Sequence, residues 1–332
     1  MRVVVADPPA FTPPYDHALA TALVRAGVDV ELLTSRFRLG EAPEPDGYRR
    51  REIFYPLSSR VFRRSRLRVP VKVAEHPLGL ARLAATSADV VHVQWLALPE
   101  ADAWLLRHRA PLVLTAHDLL PRRTAAKTAL WRRAFGRFER IVVHSERGRE
   151  TLAAFGVPEH KLRVIPHPVT ASDAVRADDG RTVLALGLVR PYKQLEHARR
   201  AAAGAGAVLR VAGDANTFLS EAEIDRALAE STVAVFPYRP ELDQSGALLR
   251  ALGAGVPAVV YDVGGLPEPV RRFGAGRVVA ADDVEGLTAA VRELLEDEDA
   301  LAAARAGALR ARAELTWDAA AQAHLNLYRE LM

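Results

Sequence analysis

The chain has no cysteine among its 332 residues, which excludes disulfides, thiol nucleophiles and cysteine metal sites. Lysine is scarce. Lys72, Lys127, Lys161 and Lys193 are the whole set, so the formal net charge of +4 at neutral pH rests on arginine. No apolar run approaches the roughly 20 residues that span a bilayer. The opening MRVVVADPP also lacks the apolar stretch of a secretory signal, so a cytoplasmic location is expected. There is no Walker glycine loop ending in Lys-Ser/Thr and no spaced histidine cluster, so no metal and no bound cofactor are expected.

What is present is a repeated α/β grammar. Short apolar segments at Arg2 to Val5, Val28 to Leu33, Val90 to Val93, Leu112 to Thr115, Arg140 to Val143 and Leu162 to Ile165 read as strands alternating with helical stretches. A second set follows at Val183 to Leu186, Val208 to Val211, Val233 to Phe236, Ala258 to Tyr261 and Arg277 to Val279. Alternation of this kind predicts parallel sheets covered by helices. The unpatterned, Asp-rich HPVTASDAVRADDGR separates the sets, and the length is more than one core usually holds. Two Rossmann-like domains are expected, residues 1–168 and 169–315, with a final apolar helix over 316–332.

Gly253-Ala254-Gly255-Val256-Pro257-Ala258 has the spacing of a dinucleotide-binding fingerprint, but in the wrong order. That fingerprint needs a strand before the glycines and a helix after them. Here a helical pattern comes first and a strand follows, with Pro257 blocking helix continuation. The glycines are therefore read as a helix C-cap. A phosphate would meet the other end of that helix, at Gln244-Ser245-Gly246, where backbone N–H groups and the positive end of the dipole are available.

Ligands of open parallel sheets sit beyond the carboxyl ends of the strands. In the first half those positions hold Tyr15-Asp16-His17, Gln94-Trp95, His117-Asp118 and His144-Ser145-Glu146. In the second they hold Arg190, Lys193, Gly213-Asp214, Tyr238 through Gly246, and Gly264-Gly265. Arg190 as a fork and Lys193 as a point charge suit a diphosphate. Each residue also has a structural reading: Asp16 or Ser145 as helix caps, Trp95 as core, a buried histidine as a satisfied core group.

Several segments in order resemble the retaining GT-B glycosyltransferases of family-4 type. They are TAHDLLP (115–121), IVVHSERGRETLAAFGVPEHKLRVIPHPV (141–169), LGLVRPYKQ (186–194), FPYRPELDQSGALLRALGAGVPAVVYDVGGLPE (236–268) and TWDAAAQAHLNLY (316–328). The resemblance implies two Rossmann-like domains facing across a cleft, with the C-terminal helix crossing back to the first. It implies transfer of a hexose from a UDP- or GDP-type sugar to an acceptor hydroxyl with retention and without metal. Arg190 and Lys193 would clamp the diphosphate, and His117 would lie by the sugar ring. Gln244, Ser245, Gly246, Arg250, Gly264, Gly265 and Glu268 would line the donor. The acceptor, a glycan, a lipid-linked or a small molecule, would meet Tyr15, Asp16, His17, Gln94, Trp95 and Asp118.

The pattern departs from the family in three places. The paired glutamates flanking the phosphate helix fall at Leu242 and Arg250, with Glu241 and Asp243 beside them. The usual glycine pair after the first strand is replaced by PPAFTPPYDH, and only positions 214 to 230 separate Gly213 from Ser231. The lost glutamates keep a second reading open, a catalytically silent relative that stabilises another enzyme. The basic stretch Arg49 to Lys72, with Phe54, Tyr55 and Phe62 interleaved, reads as a solvated face, an anionic membrane contact or a site for a phosphorylated acceptor. No nucleic-acid motif accompanies it.

Overall fold

The computed structural model describes the chain except Leu39, Arg63, Arg64, Arg122, residues 215–218, Glu241 and Leu242. It divides into two compact units, Met1–Pro166 with Trp317–Met332, and His167–Thr316.

Unit 1 runs β1 (Arg2–Asp7), α1 (Pro13–Arg25), β2 (Asp29–Thr34), β3 (Arg49–Glu52), α2 (Pro56–Arg60), α3 (Arg68–Ala84), β4 (Val90–Val93), α4 (Pro99–Leu105), β5 (Leu112–Thr115), α5 (Thr128–Gly136), β6 (Arg140–Val143), α6 (Glu146–Phe155) and β7 (Leu162–Val164). The strands form one parallel sheet in the order β3-β2-β1-β4-β5-β6-β7. Both faces are covered, which is why β1 is a continuous apolar run. Val4 and Ala6 join one core layer and Val3 and Val5 the other.

Unit 2 runs β8 (Thr182–Leu186), α7 (Leu195–Gly204), β9 (Val208–Ala212), α8 (Glu221–Ala229), β10 (Val233–Phe236), α9 (Gly246–Gly253), β11 (Ala258–Tyr261), α10 (Pro267–Phe273), β12 (Gly276–Val279), α11 (Val284–Glu296) and α12 (Glu298–Glu314). Its parallel sheet has the order β12-β11-β10-β8-β9, so the chain reverses direction across the sheet between β8 and β10. Ligands of such sheets bind at that switch point. The last helix, α13 (Trp317–Arg329), belongs to unit 1 and buries Ala321, His324, Leu325 and Tyr328 there.

The glycines after α9 end a helix. α9 stops at Gly253, Gly255 takes φ +71°, and β11 begins at Ala258. A Cβ on Gly253 would lie 2.0 Å from the Thr170 carbonyl oxygen, so close backbone packing requires glycine there. The sequence reading missed β3. Its residues, Arg-Arg-Arg-Glu, carry no apolar alternation. The strand is an edge held by ion pairs of Arg49 with Asp29 and Arg51 with Glu31.

Candidate functional site

In unit 1 the carboxyl ends of β4, β5 and β6 gather an aromatic and imidazole group around His117. The Trp95 indole stacks on the His117 ring at 5.0 Å and 17°. The Tyr15 ring meets it edge-on at 4.7 Å, and His144 lies 5.3 Å away. Trp95 is itself fixed, because its indole N–H donates to the Thr12 hydroxyl at 2.9 Å. Tyr15 also packs edge-on against Trp317 of α13 at 5.1 Å, a contact the sequence reading did not anticipate.

Gln94 was expected to touch an acceptor, but it is fully buried. Its carbonyl oxygen accepts from His117 Nε2 at 3.0 Å, and its amide nitrogen has no hydrogen-bond partner. It therefore acts through His117, holding the proton on Nε2. Asp118 is exposed beside His117. His144 is buried, and its Nδ1–H donates to the Ile165 carbonyl at 2.9 Å. Burial pushes its pKa down to about 4, so it is neutral at pH 7. Ser145 takes its capping role, accepting from the Gly148 N–H at 2.8 Å.

Two further acceptor expectations change. Asp16 is buried and faces Asp7 rather than solvent. Burial and the neighbouring carboxylate raise the Asp16 pKa well above the usual range, so the pair shares a proton. His17 lies about 200° around α1 from Tyr15, and its Nδ1 meets the Tyr48 hydroxyl at 3.0 Å, so it is not gathered with His117.

In unit 2 the switch point between β8 and β10 holds the cationic residues. Gly187 follows β8 at φ +87°, and Lys193 folds back behind it from the turn Pro191–Lys193. Its ammonium donates to the Leu186 carbonyl at 2.6 Å and lies 5.6 Å from the centroid of the Tyr238 ring. Burial first, and the Arg190 charge second, push its pKa down to about 8. Space behind the strand ends is tight: a Cβ on Gly213 would sit 2.4 Å from the Gly187 carbonyl oxygen.

Ser245 caps α9, its hydroxyl accepting from the Leu248 N–H at 3.2 Å and lying 3.5 Å from the Tyr238 hydroxyl. The Gly265 N–H donates to the Asp243 carbonyl at 2.8 Å, which ties the Gly264-Gly265 turn to the loop before α9. Gln244 lies half-buried in that loop, and Glu268 sits in the first turn of α10. Gly246 opens α9 with nothing within 4 Å of a Cβ added to it, so its N-terminus is sterically open. Arg250 departs from its expected donor role. Its guanidinium binds both oxygens of Glu221, at 2.5 and 2.8 Å. Glu241 and Leu242 lie outside the described residues. Tyr238, whose ring underlies Lys193, was legible only as a residue following β10.

The basic segment separates into two parts. Arg49, Arg51 and Arg60 are paired with Asp29, Glu31 and Glu52, and Phe54 and Tyr55 are core residues rather than surface aromatics. Arg63 and Arg64 lie outside the described residues. Among the described residues no helix is long and apolar enough to cross a membrane.

Two units of parallel sheet with these poles define the GT-B architecture. A glycosyltransferase family 4 model matches residues 15–173 and a glycosyl transferases group 1 model matches residues 171–297. The chain belongs to this glycosyltransferase family. The D-inositol 3-phosphate glycosyltransferase of Thermobispora bispora is 37% identical over 84 residues, 25% of this chain and only 20% of that protein. Its counterpart in Mycolicibacterium smegmatis is 27% identical over 378 aligned residues, 95% of this chain and 86% of that one.

Two solved structures show the same fold over the full length. Sucrose-phosphate synthase of Thermosynechococcus elongatus has a TM-score of 0.74 at 17% identity, covering 100% of this chain and 99% of that one. HepE of Anabaena, in complex with UDP-glucose, has a TM-score of 0.71 at 14% identity, covering 100% of both chains.

Proposed function

We propose that the chain transfers a hexose from a UDP- or GDP-type sugar to an acceptor hydroxyl, with retention and without a metal. The observation that carries this reading is the pole of unit 2, where Arg190, a buried Lys193 and the open N-terminus of α9 surround one switch point. A lysine held near pH 8 by burial, with an arginine beside it, gains its full charge when a diphosphate arrives. The binding of UDP-glucose by HepE supports the same donor class.

In this reading Arg190 and Lys193 hold the diphosphate, and the Ser245-Gly246 amides take its remaining oxygens. As the bond from the anomeric carbon to phosphate breaks, these donors stabilise the charge on the leaving group. The acceptor oxygen bonds to the anomeric carbon on the same face and its proton passes to the leaving phosphate oxygen, so no side chain acts as a strong base. His117, fixed between Trp95 and Tyr15, keeps its Nε2–H on the Gln94 carbonyl oxygen, and in that tautomer its Nδ1 accepts from a hydroxyl of the sugar.

Following UDP-glucose and GDP-mannose by proton NMR in water, with and without EDTA, tests this. The reading expects slow release of the sugar first as the α-anomer, unchanged by EDTA. Release as the β-anomer, or loss with EDTA, contradicts it.

A further inference from the structure

Among the described residues of unit 1, Arg68 and Lys72 form no ion pair with a carboxylate, and only the more distant Asp7 and Asp102 offset the Lys72 charge. Arg68 and Lys72 lie one turn apart on α3, so their side chains share a face. The Lys72 ammonium lies over the Tyr55 ring, 4.6 Å from its centroid. That ring is a fixed platform. Tyr55 takes φ +53°, its hydroxyl donates to His76 Nδ1 at 2.6 Å, and His76 Nε2–H donates to Asp102 at 2.5 Å. Arg68 has a buried Nε with no hydrogen-bond partner.

The acids near these cations are committed elsewhere. Glu75, the one acid in residues 53–84, accepts from the Leu57 and Ser58 N–H groups at 2.7 and 2.9 Å. Asp102 also accepts from the Leu98 N–H, and Asp7 accepts from the Thr12 N–H and faces Asp16. Burial first, and then the like charges of Arg68 and Arg38, push the Lys72 pKa down to about 8 against a smaller opposing pull from Asp7 and Asp102. Like charges drawn out of water side by side cost free energy in the ligand-free protein, and an entering anion offsets that cost.

The location fits an acceptor. Tyr55 lies beyond the carboxyl end of β3 and Asp7 is the last residue of β1, at the edge from which Trp95 and His117 also emerge. In the order β3-β2-β1-β4-β5 the Tyr55 end of β3 lies about 14 Å from the Trp95 end of β4 and about 19 Å from the His117 end of β5, and Lys72 extends from α3 into the field of Asp7 at the end of β1, between them.

We propose that Arg68 and Lys72, above the Tyr55 ring, form a phosphate subsite that holds a phosphorylated acceptor. The proposal deepens the glycosyltransferase reading and rests on it for the word acceptor. The phosphate could be carried by a soluble sugar phosphate or by a lipid headgroup, and the chemistry of recognition is the same.

The test measures binding by the full chain of D-glucose 6-phosphate, with D-glucose as control, and of vesicles with and without phosphatidylinositol. Wild type is compared with Arg68→Gln and Lys72→Met. Replacing a charge-assisted contact weakens phosphate binding roughly tenfold or more. The melting temperature of Lys72→Met in phosphate-free buffer stays equal or rises, since a repelled cation is removed, whereas a purely structural lysine would lower it.

Loss of glucose 6-phosphate binding in both variants supports a soluble acceptor. Loss of vesicle binding alone supports the same site on a lipid headgroup. Equal binding by wild type and variants, or no binding of either probe, overturns the subsite. Stabilisation by UDP is measured in parallel on the same proteins. Its absence with phosphate binding intact would sink the donor reading and leave the subsite standing.

Discussion

Replacing Lys193 by methionine should stabilise the ligand-free protein and weaken its nucleotide complex. The ammonium's pKa falls from 10.5 to about 8 because burial opposes its charge. At about 1.4 kcal/mol per unit, that is a cost on the order of 3 kcal/mol at pH 7. Losing its hydrogen bond to the Leu186 carbonyl returns about 1 kcal/mol, leaving a gain of about 2. For a unit spanning residues 167–316 this is a rise of roughly 4–8 °C in melting temperature.

The pH dependence follows from the same shift. Between pH 8 and 10.5 the unfolded lysine is protonated and the folded one is not, so Lys193 makes wild-type stability rise with pH across that window. The variant lacks this contribution. A diphosphate needs the charged form, so wild-type affinity falls as pH passes upward through 8. At a hundred times its dissociation constant, UDP adds about 2.7 kcal/mol to the wild type. A tenfold to hundredfold weaker variant gains no more than about 1.4 at the same concentration. Differential scanning fluorimetry from pH 7 to 10 reads both effects. A variant less stable than wild type at pH 7 that keeps the full response to UDP would refute the reasoning.

Other consequences are equally direct. Gln94→Leu removes the acceptor for His117 Nε2–H together with a buried amide lacking a partner, so stability should hold while turnover drops about tenfold or more. A parallel fall in melting temperature would make Gln94 merely structural. Gly213→Ala places a Cβ against the Gly187 carbonyl at φ +143° and should cost more than about 2 kcal/mol, measured by urea unfolding. His144 and His324 are pushed down to about 4 by burial and take up protons only on unfolding. Each should remove about 1.4 kcal/mol of stability per pH unit between pH 6.5 and 4, offset in part by the proton shared by Asp7 and Asp16. A flat unfolding free energy across that range would contradict the burial argument.

Buried strands could be read from the sequence because parallel sheets covered on both faces leave continuous apolar runs, as at Val90–Val93 and Val233–Phe236. β3 could not, since an edge strand held by ion pairs has no hydrophobic period. At the site, chemistry after strand ends was visible and orientation was not. Tyr15, Asp16 and His17 are consecutive in sequence, yet the helix sends one to His117, one to Asp7 and one to Tyr48. Arg250 occupies a motif position, and its partner Glu221 comes from a helix the motif does not include. Phe54 and Tyr55 looked like surface aromatics among arginines, but their neighbours on α3 cover them. The Tyr55–His76–Asp102 chain joins residues far apart in sequence and has no local signature.

The central claim is that the pole of unit 2 binds a nucleoside diphosphate through Arg190 and Lys193. Isothermal titration of the full chain with UDP, GDP, ADP, TDP and CDP, repeated on Arg190→Ala and Lys193→Met, tests it most directly. The account predicts that one diphosphate binds with a single site and that either substitution weakens it at least about tenfold. Binding that survives both substitutions unchanged, or no binding of any diphosphate, would contradict it.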